Sequence, residues 1–153
     1  MGIEVKQADM ADLDEVAGLF NAYRVFYGQQ PDLEGARAFL FDRMAYRQSV
    51  IFIARDEARK MAAGIAQLYP IFSSVSMERV LVLNDLFVAE AHRKGGVGQR
   101  LLDAAKSYAV SAKAKGLQLS TAADNETAQR LYERNGFERD VDFYHYFLRT
   151  NGQ

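Results

Sequence analysis

The chain has 153 residues, 49% hydrophobic and 25% charged, with a formal net charge of −1. That length suits one soluble globular domain with a sizeable core, and the balanced charge argues against bulk electrostatic binding to nucleic acid. The lack of cysteine excludes disulfides, thiolate ligands and a cysteine nucleophile, and with only His92 and His145 no metal site is expected.

Residues 3–7, IEVKQ, alternate and predict a short strand. Leu13, Val16, Leu19, Phe20 and Tyr23 recur at helical spacing and predict a helix over 12–27. Gly28 and Pro31 break it, and Pro31-Asp32 opens a second helix with Phe39, Leu40 and Met44 on its apolar face. The apolar run 49–54 and the run 62–69 predict a hairpin around a polar turn. Residues 79–88, RVLVLNDLFV, give the strongest strand signal.

Val97, Leu101, Ala105, Tyr108 and Ala112 then predict a helix with Lys113 and Lys115 in its last turn and Gly116 as its stop. A strand is expected over 117–121, and a helix from an Asn125 cap to Asn135, ended by Gly136. The aromatic segment 141–148 reads as a closing strand. This order predicts an α/β (α+β) domain around a central sheet, with no boundary inside residues 1–153. The acidic start lacks a signal-peptide pattern, and no apolar stretch approaches the roughly 20 residues that span a bilayer. A cytoplasmic protein without membrane contact is the expectation.

The stretch HRKGGVGQRLLDAA, residues 92–105, places glycines and cations directly before a helix. Unpaired N–H groups and the helix dipole favour an anion there, and glycines let the backbone come close to it. The bland alternative is a glycine-rich turn before a basic, solvated helix start. A P-loop does not fit, because Gly98 is followed by Gln99-Arg100 rather than Lys-Ser/Thr. A dinucleotide fingerprint does not fit either, because Leu101 stands where the third glycine belongs.

The pattern Arg93-x-x-Gly96-x-Gly98, five residues after Val88, resembles the acetyl-coenzyme A signature of the GNAT acetyltransferase superfamily. The later segment 124–138, DNETAQRLYERNGFE, resembles that family's second motif at Asn125, Ala128, Tyr132, Gly136 and Phe137. The phrase around 83–88 is most similar to the histone and polyamine acetyltransferase branch. The resemblance implies a single GNAT-type domain, with a mixed, mostly antiparallel sheet of about seven strands splayed at the cofactor and flanked by four helices. It also implies acetyl-coenzyme A as cofactor. Its pyrophosphate falls to Arg93, Lys94, Gly95, Gly96, Val97, Gly98 and Gln99, and its pantetheine arm to Leu86, Phe87 and Val88. Asn125 and Ala128 match cofactor-side positions of the second motif, and a plain helix cap is the other role open to Asn125.

Tyr132 matches the tyrosine that protonates the departing thiolate; a core tyrosine is the alternative. The base is left open. An alkyl amine has a pKa of about 10.4, so neutralising it at pH 7 costs about 4–5 kcal/mol. Asn84 stands where polyamine-acetylating relatives carry a glutamate and cannot act as a base. Its neighbour Asp85 can take the proton or orient the ammonium, a water chain can serve instead, and backbone N–H groups at a strand bulge can equally account for the carboxylate. For the acceptor, Tyr23, Tyr27 and Asp32 can surround a cation, with 69–74 as an opposite wall. The expected reaction is direct acetyl transfer to a primary amine of a small molecule, such as a polyamine, amino acid or aminated metabolite. A protein or peptide acetyltransferase and a non-catalytic acyl-coenzyme A module are the competing readings. The aromatic segment 143–148 suggests a homodimer.

Overall fold

The structure, a computed structural model, describes residues 2–152. Five strands form one sheet in chain order: β1 Ile3–Gln7, β2 Val50–Asp56, β3 Met61–Ser73, β4 Glu78–Val88 and β5 Leu117–Gln118. β1 to β4 are antiparallel neighbours, and β5 pairs in parallel with β4 only at Leu81 and Val82. The helices are α1 Leu13–Phe26, α2 Leu33–Ala45, α3 Val97–Ser111 and α4 Glu126–Arg134. The chain divides into two compact units, one up to Leu119 and one from Ser120.

Alternation along β2 and β3 sorts the core of the first unit into two layers. Ile51, Ile53 and Ile65 pack with Leu13, Val16, Phe20 and Leu40 of α1 and α2. Phe52 points the other way and meets Tyr108 of α3, ring centres 5.9 Å apart. Burying each such side chain stabilises the fold by about 1.5–3 kcal/mol.

β4 does not keep one alternation. Gln67 of β3 pairs with Asp85, but the next residue, Leu68, pairs with Leu83. Asn84 is therefore an extra residue, a β-bulge. Without it, Leu81, Leu83, Asp85 and Phe87 would share a face. With it, Phe87 turns into the α1–α2 core, and Asp85 follows the parity of Gln67 and Ile65.

Several expectations need correcting. The described residues hold five strands rather than about seven, although the mixed α/β class and the four helices agree. Residues 141–148 carry no regular secondary structure, because a run of aromatic residues does not by itself supply a ladder partner. β5 is two residues long, and β3 continues past Pro70 to Ser73. α3 ends at Ser111, before the lysines. Its stop is Lys113 at φ 57°, whose N–H bonds Val110 while the Ala114 N–H bonds Ala109. Gly116 instead accepts from the Leu81 N–H at 3.0 Å, at the start of the β4–β5 pairing.

Candidate active site

The glycine stretch sits between the end of β4 and α3. Lys94 and Gly96 both have positive φ, 68° and 82°, so successive peptides turn sharply. Gly96 is the N-cap of α3 and offers no side-chain cap, and the first helical bond runs from the Arg100 N–H to its carbonyl. A helix start of this form presents backbone donors to an anion. A Cβ on Gly98 would lie 3.7 Å from the Val88 side chain, so the loop packs closely on β4. Because β5 pairs only with Leu81 and Val82, β4 has no ladder partner on that side from Leu83 to Val88 among the described residues. Such an edge suits the amides of an extended ligand arm. These features fit a coenzyme A-type ligand.

Arg93 is used differently from a simple phosphate ligand. Its Nε donates to the Val88 carbonyl at 3.0 Å. Its guanidinium stands over the rings of Phe26 and Phe87, 4.9 and 5.5 Å from their centres.

Asp85 is 5% exposed. Among the described residues its partners are side chains rather than backbone N–H groups. Gln67 Nε2 donates to Oδ2 at 2.8 Å, and Asn84 Nδ2 donates to Oδ1 at 3.3 Å. Burial and then the Asp85 carboxylate push the Tyr69 phenol up to about 12, against the opposing pull of Arg43. Tyr69 stays neutral and can donate a hydrogen bond.

The end of α1 supplies an aromatic wall. Tyr23 lies 5.8 Å from Phe87 and 5.1 Å from Tyr27, ring centre to ring centre, and Phe26 lies 6.2 Å from Phe87. Tyr27 keeps 60% of its surface exposed. Asp32 caps α2, its Oδ1 accepting from the Gly35 N–H at 2.9 Å.

In the second unit, Asn125 caps α4 by accepting from the Ala128 N–H at 3.1 Å. The Asn-Gly-Phe that follows is a helix terminator. Gly136, at φ 93°, donates to the Glu133 carbonyl, and the Phe137 N–H donates to the Tyr132 carbonyl at 3.0 Å. The Phe137 ring then packs edge-on against Tyr132, with centres 5.6 Å apart. This is the hydrophobic contact that accompanies such a cap, and it orients the Tyr132 ring.

Sequence reasoning missed two groups. Gln67 is one; the signal was a lone amide in the apolar run AGIAQL, on the strand facing Asp85. The other is His92, buried just before the glycine loop with Nε2 2.9 Å from Asp56 Oδ2. The His92 hydrogen bond, joined by the Arg59 N–H, holds the Asp56 carboxyl below the usual carboxylate range despite burial.

Comparison with known proteins agrees with this geometry. The model of the acetyltransferase (GNAT) family matches residues 15–137. The Bacillus subtilis protein named "uncharacterized N-acetyltransferase YhfO" is 49% identical over 148 residues, 97% of this chain and 98% of its own. A Haemophilus influenzae probable acetyltransferase is 36% identical over 67% of this chain and 69% of its own. The crystal structure of a probable acetyltransferase superposes with a TM-score of 0.92 at 41% identity, covering 98% of this chain and 99% of that one. An aminoglycoside N-acetyltransferase solved with coenzyme A shares the fold at 21% identity and a TM-score of 0.77, over 97% of this chain and 95% of that one. Acetyl-coenzyme A is the donor that acetyltransferases of this kind use, and the chain belongs to the GNAT family of N-acetyltransferases.

Proposed function

We propose that the acceptor of this acetyl-coenzyme A-dependent N-acetyltransferase is the primary amine of a small molecule, such as a polyamine, an amino acid or an aminated metabolite. The observation that carries the reading is Asp85, a nearly buried carboxylate on the same face of β4 as Phe87, against which Tyr23 and Phe26 pack. A carboxylate and ring faces together select a compact cation.

In this reading the loop 93–98 and the α3 N-terminus bind the pyrophosphate, Leu86, Phe87 and Val88 pair with the pantetheine arm, and a backbone N–H near Val88 polarises the thioester carbonyl. Gln99, Asn125 and Ala128 belong to the cofactor side. Asp85 accepts one proton from the ammonium. The neutral nitrogen forms a C–N bond with the acetyl carbon, the C–S bond breaks, and the phenol of Tyr132 gives its proton to the leaving sulfur. Asn84, at the bulge, and Tyr23 and Tyr27 line the acceptor side. Asp32, which also caps α2, completes that side with its carboxylate.

The test is coenzyme A release, followed by thiol detection, with putrescine, spermidine, lysine, kanamycin and a lysine peptide. Stimulation by one of the free amines is expected. Turnover of the peptide alone would replace the small-molecule reading. No stimulation by any amine, with acetyl-coenzyme A binding intact by calorimetry, would overturn both. The reading extends to a cytoplasmic homodimer, which cell fractionation and sedimentation velocity test; a monomer at micromolar concentration would remove the dimer.

A further inference from the structure

Gln67 has no exposed surface, and one end of its amide is engaged. Nε2 donates to Asp85 Oδ2 at 2.8 Å, while Oε1 is buried and has no hydrogen-bond partner among the described residues. In this orientation the amide presents an N–H donor to the carboxylate, where the flipped amide would present an acceptor. A buried acceptor left without a donor is destabilising. A water resolves it when two or more polar groups converge. Gln67 Oε1 belongs to the amide that is bonded to the Asp85 carboxylate, and the neutral phenol of Tyr69 lies within the reach of that carboxylate's charge.

We infer that Gln67 is the positioning residue for amine deprotonation: it holds Asp85 through Nε2 and, through Oε1, seats one water that relays the amine proton to Asp85. The inference rests on the reading of Asp85 as proton acceptor. The balance is simple. The ammonium gives one proton to the water, the water gives one to the carboxylate, and the water is unchanged. The bulge at Asn84 makes the arrangement possible, because it brings Asp85 onto the parity of Gln67 on β3. Asp85 on β4 and Arg43 on α2 act on the Tyr69 phenol of β3 from opposite directions, and Tyr23 of α1 packs on Phe87, two residues along β4 from Asp85.

Gln67→Met keeps the volume and removes both polar ends. With whichever alkyl amine the panel shows to be turned over, kcat/KM should fall about tenfold or more, and the acid limb of its pH profile should move up. Calorimetric affinity for acetyl-coenzyme A should stay within about twofold of the parent, a difference under about 0.5 kcal/mol. Hydrazine, far less protonated than an alkyl amine at about pH 8, needs little deprotonation, so the variant's defect should shrink with it. A merely structural loss would reduce both nucleophiles alike. Gln67→Glu is the second variant should Gln67→Met fail to fold; its second carboxylate beside Asp85 should move the acid limb higher still. Equal losses with both nucleophiles, or an unmoved pH profile, overturn the inference. Asp85→Asn separates the two readings. If it is impaired while Gln67→Met is not, only the role of Gln67 falls; if Asp85→Asn retains parental rates, the reading of Asp85 falls with it.

Discussion

Arg93 Nε and the Val88 carbonyl, 3.0 Å apart, tie the start of the glycine loop to the end of β4. The same guanidinium covers Phe26 of α1 and Phe87 of β4, so one side chain braces three elements. Lysine lacks the planar fork that lets arginine stack and bond at once. Arg93→Ala should weaken coenzyme A binding about tenfold, or about 1.4 kcal/mol, and Arg93→Lys should recover little. Acetyl-pantetheine, which has no pyrophosphate, distinguishes a brace from a phosphate ligand. A brace predicts slower turnover with both donors. Parental rates for Arg93→Ala on acetyl-pantetheine would assign the side chain to the pyrophosphate alone.

Gly64 faces Val88 across the β3–β4 ladder, where the strand meets α3. A Cβ there would sit 2.8 Å from the Phe87 carbonyl oxygen and 3.1 and 3.2 Å from Leu101 and Val97. The nearest atom is backbone, so the strand itself must shift. Gly64→Ala should cost about 1–3 kcal/mol through overpacking and weaken coenzyme A binding by displacing the end of β4. Calorimetric melting should show a fall of several degrees, roughly 2–4 °C per kcal/mol at this size. An unchanged melting temperature would mean that the ladder absorbs a methyl group there.

Much of this was readable before the structure because it depends on local chemistry. The starts of α2 and α4 follow from Asp32 and Asn125, each accepting from an N–H three residues on. The glycine loop is legible because Gly96 needs a positive φ and α3 needs an open first turn. What escaped depends on pairing between strands. Asn84-Asp85 inside an apolar strand marked a disturbance, but only the register against Gln67 and Leu68 shows that it reverses the faces of β4. The partner of His92 lies 36 positions earlier, at Asp56, and neither residue type announces the other. Segment 141–148 failed for the converse reason, since its aromatic content carries no information about a partner strand.

The Asp56–His92 contact makes stability depend on acidity. The His92 hydrogen bond leads in holding the Asp56 carboxyl below its usual range. A group with a depressed folded pKa contributes stability that is complete above its unfolded value of about 3.9 and is lost as pH falls through the folded value. The melting temperature of the parent should therefore exceed that of Asp56→Asn near neutral pH, and the gap should narrow below about pH 4. Melts from neutral to strongly acidic buffer check this. A gap that stays constant into acid would show that the carboxylate's charge contributes nothing.

Lys113 and Gly116 exchange the roles that their identities suggest, and a pair of substitutions tests this. Lys113 terminates α3 at φ 57°, with its N–H on Val110 and the Ala114 N–H on Ala109. A side chain in the left-handed region costs roughly 1–2 kcal/mol, which glycine avoids, although glycine also gains freedom in the unfolded chain. Lys113→Gly should stabilise the fold by a few tenths to about 1 kcal/mol. Gly116 has no left-handed φ, and nothing lies within 4 Å of a Cβ built on it. Gly116→Ala should therefore be neutral or stabilise by about 0.4–1 kcal/mol. Were Gly116 the helix stop, the signs would reverse: Gly116→Ala would cost about 1 kcal/mol and Lys113→Gly would weaken the last turn. Urea denaturation of the two variants beside the parent decides it, and destabilisation by Lys113→Gly together with Gly116→Ala would refute the assignment.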